Sequence, residues 1–292
     1  MRLIANSIIY LFLTGALLAE ASDIGVSHHP ASGYVLQRGV LQLETYGNYT
    51  DVDMAEAVGV DTKSTQGVGR YSEIGGRLWF GLSDLTTASF YFGLSDFTYQ
   101  DKTAEIGFQE FRLKRGLLVN HESLGFLSLE AEWFRHSMNS LKQGGVKQSR
   151  SNTFHDYGYG LQLQGTRPFS DTFDLHYHLG YSNALEDGNE GQSQFEAGVG
   201  LSAFFSQRYR LDLYGSMLQV DRSINSIPDE TNSTFHFALT RHISEQWSGH
   251  IRAQYNDSLF IGVWPFLDRE MSNVNLSGYG YLSLGFTYRT KY

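Results

Sequence analysis

The chain has 292 residues, with 31 Gly, 4 Pro, no Cys, 18 Tyr and 20 Phe, and a net charge of −9. Charged residues make up 18 % of it, against about a quarter in an ordinary soluble domain. An acidic chain lacks the basic surface that grips phosphates, so no nucleic-acid partner is expected. Without cysteine there is no thiol catalysis, disulfide framework, or thiolate-ligated metal or iron–sulfur centre.

Residues 1–21 read as a secretory signal peptide. Arg2 supplies the positive start, 8–13 and 16–18 are strongly apolar but too short to span a bilayer, and Ala19-Glu20-Ala21 has the small-x-small form of a cleavage site. Cleavage after Ala21 removes Arg2 and Glu20 together, so the net charge is unchanged. Residues 22–38 are expected to be an N-terminal periplasmic or luminal segment; His28-His29-Pro30 within it reads as flexible polar linker, with a plugging role inside the lumen as the alternative.

From residue 39 onward the apolar residues fall at period two. In 173–181, Phe173, Leu175, Tyr177, Leu179 and Tyr181 share one face, opposite Asp174, His176, His178 and Gly180. The same alternation recurs in 74–82, 88–94, 195–205 and 247–255. Most segments reach the ~9–11 residues of a tilted membrane strand, beyond the ~5–6 of a sandwich strand, and aromatics stand at both ends as an interfacial girdle. The pattern predicts an all-β fold, a transmembrane antiparallel up-and-down β-barrel of about 12 strands over 39–292. The expected strands are 39–53, 68–83, 86–99, 105–120, 125–140, 153–167, 172–185, 193–206, 209–222, 232–243, 247–263 and 274–292.

Short turns are expected near 83–85, 121–123, 168–170, 206–208 and 244–246. Longer loops are expected at 54–67, 100–104, 142–152, 186–192, 223–231 and 265–273. Short turns in the periplasm and long loops outside is the layout of an outer-membrane barrel. Within 105–120 the apolar positions change parity between Phe108 and Phe111, which predicts a bulge.

The last strand places Leu282, Leu284, Phe286, Tyr288 and Tyr292 on one face and ends on an aromatic residue. It resembles the C-terminal assembly signal of bacterial outer-membrane barrel proteins, with Tyr in place of the usual Phe. The resemblance implies insertion by the barrel-assembly machinery into outer-membrane lipid and lipopolysaccharide. A second likeness lies in Gly33-Tyr34-Val35-Leu36-Gln37-Arg38-Gly39-Val40-Leu41-Gln42-Leu43-Glu44-Thr45, followed by Gly81-Leu82-Ser83-Asp84-Leu85. This stretch, about a fifth of the chain, resembles the start of outer-membrane channel proteins named after the MetA pathway of phenol degradation. That resemblance implies passage of a small solute and carries over no catalytic residue.

In lipid a sheet must close on itself, so the polar faces line a lumen, and twelve strands leave a narrow one. The expected charged lining is Glu44, Glu73, Arg77, Glu130, Glu132, Glu196, His250 and Arg252. Tyr46, Trp79, Tyr91, Phe134, Tyr214, Tyr279 and Tyr281 narrow the passage. Rings of carboxylates lower the barrier for cations, which points to a narrow channel for passive passage of small solutes or ions. A non-conducting barrel, structural or lipid-modifying, is the alternative.

No enzymatic motif is complete. Asn120-His121-Glu122-Ser123 resembles the His-x-Ser motif of outer-membrane phospholipase A but falls in an expected periplasmic turn. Tyr181-Ser182-Asn183-Ala184 is similar to the serine segment of lipid A deacylases, yet Gly180 stands where their histidine does. Asp174, His176 and His178 on one face, with Glu196 across the hairpin, have ligand types that suit a divalent metal. Three polar residues on one strand are also the ordinary content of a wet lining, and neither a cofactor nor a catalytic site is expected.

Overall fold

The computed structural model describes residues 32–51, 68–99, 102–147, 155–186, 190–222, 230–258 and 277–290. The expected signal peptide, His28-His29-Pro30 and Tyr292 lie outside them, as do the side chains of Tyr279 and Tyr281.

The strands are β1 (Leu41–Asp51), β2 (Val68–Ser83), β3 (Thr86–Tyr99), β4 (Lys102–His121), β5 (Gly125–Gln143), the two-residue β6 (Val146–Lys147), β7 (His155–Ser170), β8 (Phe173–Glu186), β9 (Glu190–Phe205), β10 (Tyr209–Arg222), β11 (Glu230–His242), β12 (Trp247–Ser258) and β13 (Ser277–Arg289). Apart from β6, an extension of a loop hairpin, each strand pairs antiparallel with its sequence neighbour. β1 pairs with β13 from Gln42↔Arg289 to Tyr49↔Leu282, which closes a twelve-strand barrel without a free edge.

Alternation sorts the two faces. Leu179, Tyr181, Val199, Leu201, Phe235 and Phe286 are exposed on the outer wall, whereas their sequence neighbours His178, Ser202, Ser283 and Thr287 are buried inside. From Phe173 to Tyr181 the outer face of β8 runs through eight steps of ~3.3 Å, about 20 Å at a ~40° tilt, close to the apolar band of a membrane barrel.

Three local expectations are corrected. No bulge separates Phe108 from Phe111, because the β3–β4 register is continuous from Thr86↔Arg115 to Tyr99↔Lys102. Ile106, Phe108, Glu110, Arg112 and Lys114 all face inward; Phe108 is 4 % exposed and stacks on Tyr91 at 5.0 Å, so an aromatic residue on the inner face imitated a parity change. The β4–β5 pairing is irregular elsewhere: between Glu105/Ser140 and Ile106/Met138, which leaves Asn139 of β5 without a register partner, and again between Gly116 and Leu118, inside the expected segment, and between Leu118 and His121. The turn placed at 168–170 is at Asp171–Thr172. Pro168 sits within β7, where a register shift before Ser170 accommodates a residue that lacks an N–H. Of 100–104 only residues 100–101 separate strands, and the expected loop at 142–152 contains the hairpin of β5 and β6, turned by Gly144 (φ 56°) and Gly145 (φ 79°) in the left-handed region that glycine tolerates.

Candidate functional site

The turn end of the lumen is lined from two sides. Residues 32–40 fold back along the inner wall as a strap. Gly39 N–H bonds the Gly81 carbonyl at 2.8 Å, and Leu36 N–H bonds Thr87 Oγ1 at 2.7 Å. Further along, Lys114 Nζ donates to the Ser32 carbonyl at 2.6 Å, Gly33 N–H to Thr166 Oγ1 at 2.8 Å and the Tyr34 hydroxyl to Asp174 Oδ2 at 3.0 Å. The strap thus touches β2, β3, β4, β7 and β8 in turn, with Leu36 fully buried. Its close approach depends on glycine: a Cβ on Gly81 would collide with the Gln37 carbonyl, and one on Gly33 would meet the Phe126 carbonyl oxygen at 2.5 Å. On the opposite wall His176, Ser202, Arg210, Asp212, Thr240 and His250 are buried within a few residues of the turns. Arg210 Nε lies 3.0 Å from Asp212 Oδ2.

Above this floor lies a charged belt. Arg112 of β4 lies 2.8 Å from Glu110, 3.2 Å from Glu130 and 3.2 Å from Glu132, while Lys114 stands 3.9 Å from Glu130. Arg77 places its guanidinium 5.3 Å from the Trp79 ring centre and 4.9 Å from that of Tyr91. Glu73 accepts from the Tyr46 and Tyr91 hydroxyls, each at 2.7 Å. At the level of the floor itself, Glu44 pairs with Arg252 and lies 3.2 Å from His250 Nε2. Glu196 lies 3.4 Å from His178 Nε2 and accepts from the Tyr214 hydroxyl at 3.3 Å.

All eight charged residues expected in the lining thus have their side chains on the inner face, gathered into neighbouring groups, with Glu44 the cross-strand register partner of Arg77. Glu44, His250 and Arg252 form one group, and Glu130 and Glu132 another through Arg112. Glu73 and Arg77 flank Tyr91, and Glu196 stands with His178 and Tyr214. Water contact differs among them. The Glu196 side chain is 32 % exposed and that of Arg112 25 %, against 1 % for Glu44. Of the expected bulky residues, Tyr46, Phe134 and Tyr214 are buried inside. Glu110, Arg112, Lys114, Arg210, Asp212 and the strap contact of Tyr34 were not anticipated. The even-numbered positions of β4 held a signal for the first three, obscured by Phe108.

The metal arrangement is not assembled. Asp174 is engaged by Tyr34, His176 bridges Thr166 Oγ1 at 2.9 Å and Ser202 Oγ at 2.8 Å, and His178 faces Tyr214. Among the described residues no group of three or more His, Asp or Glu is placed to hold an ion. Ser123 Oγ lies 3.3 Å from His121 Nδ1, but both are exposed in a turn, and among the described residues no third side chain orients the ring. At the C-terminus, Leu284 and Phe286 are exposed on the outer wall, and Tyr288 is half-buried against Trp247 at 4.9 Å.

A closed twelve-strand wall, apolar outside and polar within, decides the class. The fold is that of the bacterial outer-membrane β-barrels. The chain is similar to an outer-membrane channel from Pseudomonas putida F1, with 8 % identity, a TM-score of 0.55, and coverage of 93 % of this chain and 100 % of that one. It is similar to the NanC porin at 10 % identity and a TM-score of 0.51, over 84 % of this chain and 98 % of the other. LpxR from Salmonella typhimurium, an enzyme, is 10 % identical with a TM-score of 0.50, over 85 % and 99 %. Channels and an enzyme share this architecture, so the fold alone does not assign an activity. No protein-family model and no curated protein matches the sequence.

Proposed function

We propose that the chain is an outer-membrane channel for small polar solutes or ions, closed at its turn end by residues 32–40. It reaches the outer membrane after cleavage of residues 1–21 and inserts through the barrel-assembly machinery, with its last strand as the signal and its long loops outside. The observation that carries this reading is the contrast between two levels of the lumen. Charged side chains at mid-depth keep water contact, with Glu196 32 % and Arg112 25 % exposed, whereas the level below is closed by a strap held mostly through backbone groups and single side-chain contacts. A strap of nine residues outside the closed sheet can leave without breaking a strand pair.

Planar-bilayer recording of the refolded chain tests it. The mature protein should show small or infrequent steps, and a form lacking residues 22–38 larger and sustained ones. A folded barrel silent in both forms, over all salts and voltages, overturns the channel reading and promotes the structural or enzymatic alternative.

A further inference from the structure

Among the described residues, the luminal cations Arg112, Lys114, Arg210 and Arg252 each lie within 3.9 Å of a carboxylate. Arg77 does not. It makes no hydrogen bond and no ion pair among them, and its Nε is buried without a partner. The guanidinium instead stands over the rings of Trp79 and Tyr91. Ring contact holds the guanidinium plane in place and leaves the donors at its edge for a ligand. Arg77 lies four residues along β2 from Gly81, where the strap is bonded, about 10 Å nearer the loops at ~3.3 Å per residue and a ~40° tilt.

Three acids surround it. Glu44, its register partner on β1, is held by Arg252 and His250, and Glu110, across Tyr91 on β4, is held by Arg112. Glu73, four residues nearer the loops on β2, accepts the Tyr46 and Tyr91 hydroxyls, and a carboxylate has room for about four donors. Tyr91 links the two ends: its ring centre is 4.9 Å from the Arg77 guanidinium and its hydroxyl 2.7 Å from Glu73, which puts that carboxylate within about 10 Å of the guanidinium. The lining around Arg77 holds more acids than bases, since Glu130 and Glu132 also share Arg112. A lone anion is repelled by that excess, and a lone cation leaves Arg77 without an acceptor. A zwitterion carries no net charge and matches both ends.

We propose that Arg77 and Glu73 form a luminal binding site for α-amino acids, with the solute's carboxylate on the Arg77 fork and its ammonium on Glu73. The assignment names a solute class for the channel argued above and rests on that reading. With hydrogen bonds of ~2.8 Å at each end, a carboxylate and an ammonium on one carbon bridge about 9 Å between guanidinium and carboxylate, which fits the separation set by Tyr91.

Ligand-observed NMR titration of the full mature barrel in detergent tests the site with probes of one carbon skeleton: alanine, propionate, which lacks the ammonium, and ethylamine, which lacks the carboxylate. Alanine should bind at least about tenfold more tightly than either fragment. Arg77→Gln removes the fork, and Glu73→Gln removes the charge while its amide oxygen still accepts from a tyrosine. Each should weaken alanine about tenfold with the barrel still folded by heat-modifiable mobility, and Arg115→Ala, exposed near the turn end, should leave binding unchanged. Propionate or ethylamine binding as tightly as alanine overturns the proposal, and that comparison on the parent needs no variant. So does alanine binding that is absent, or equal in the parent and both site variants. A silent barrel that still binds alanine fails the channel reading alone, and a conducting barrel blind to alanine fails this one alone.

Discussion

Ser202 Oγ and Asp212 Oδ1 stand 2.5 Å apart, and this contact fixes the direction of a hydrogen-bond chain that ends on the strap. A carboxylate only accepts, so the serine proton points to Asp212, and the serine oxygen accepts from His176 Nε2–H. That tautomer leaves Nδ1 to accept from the Thr166 hydroxyl, whose oxygen accepts the Gly33 N–H. The order of groups differs from that of a hydrolase, in which histidine takes the serine proton and the carboxylate orients histidine. Here the serine is bound to the acid and fully buried. These hydrogen bonds tie the strap to the wall.

Replacing Thr166 by Val removes the acceptor of Gly33 N–H and the donor to His176. Leaving such groups unpaired costs about 1–3 kcal/mol, spent on strap docking rather than on the barrel. Hydrogen exchange at the amides of residues 33–36 should accelerate, and bilayer openings should become more frequent. Unchanged exchange at Gly33 refutes the lock.

Gly81→Ala drives a methyl into the Gln37 carbonyl and should displace the strap while the β1–β2 pairing persists. The native chain has no cysteine, so Leu36→Cys reports cleanly. Its reaction with a soluble maleimide should be slow alone and fast when combined with Gly81→Ala.

Selectivity should depend more on Glu196 than on Glu130. The Glu196 side chain is 32 % exposed, whereas that of Glu130 is 10 % exposed and held by Arg112 and Lys114. Glu196→Gln should move the reversal potential toward neutrality at 0.1 M salt, where the Debye length is about 10 Å, and much less at 1 M, where it is about 3 Å. Glu130→Gln should chiefly destabilise, because it leaves Lys114, 13 % exposed, and the partly exposed Arg112 less compensated. A larger selectivity change from Glu130→Gln contradicts this.

Phe286→Lys places a charge on the lipid face of β13, at a cost of up to about 2–4 kcal/mol near the midplane. Export should continue while the membrane-inserted fraction falls, as read by heat-modifiable mobility. Undiminished insertion argues against a membrane-facing outer wall.

Orientation is tested with single cysteines at Val146 and Glu122, both exposed and at opposite ends of the barrel. Gly145 is a poor choice, since its φ of 79° strains any other residue. Impermeant label added to intact cells should modify Val146→Cys and spare Glu122→Cys; the reverse pattern inverts the topology.

Most of the barrel is legible along the chain because the signals are local. Period-two alternation over β8, β9 and β12, turn residues at Asp84 and Ser244, and strand length each depend on neighbours a few residues away, and they state which face meets lipid. The inward placement of Glu44, Glu73 and Arg252 follows from the same alternation. Phe108 misled because an apolar residue on the inner face looks the same in sequence as a shifted register, until the partner strand shows the pairing unbroken.

The sequence by itself determined an acidic chain, an alternating sheet that must close in lipid, and a polar interior. Only the tertiary structure decided how that interior is divided. Closure pairs β1 with β13 and brings β12 within side-chain reach, so Glu44 meets Arg252 from 208 residues away; the strap brings Gly33 to Thr166 across 133 residues. Charges that period two leaves as a row are gathered into neighbouring ion-paired groups, some buried and a few in contact with water. Which acid finds which base is set by strand stagger and by the course of the strap, and neither is written in any local stretch of sequence.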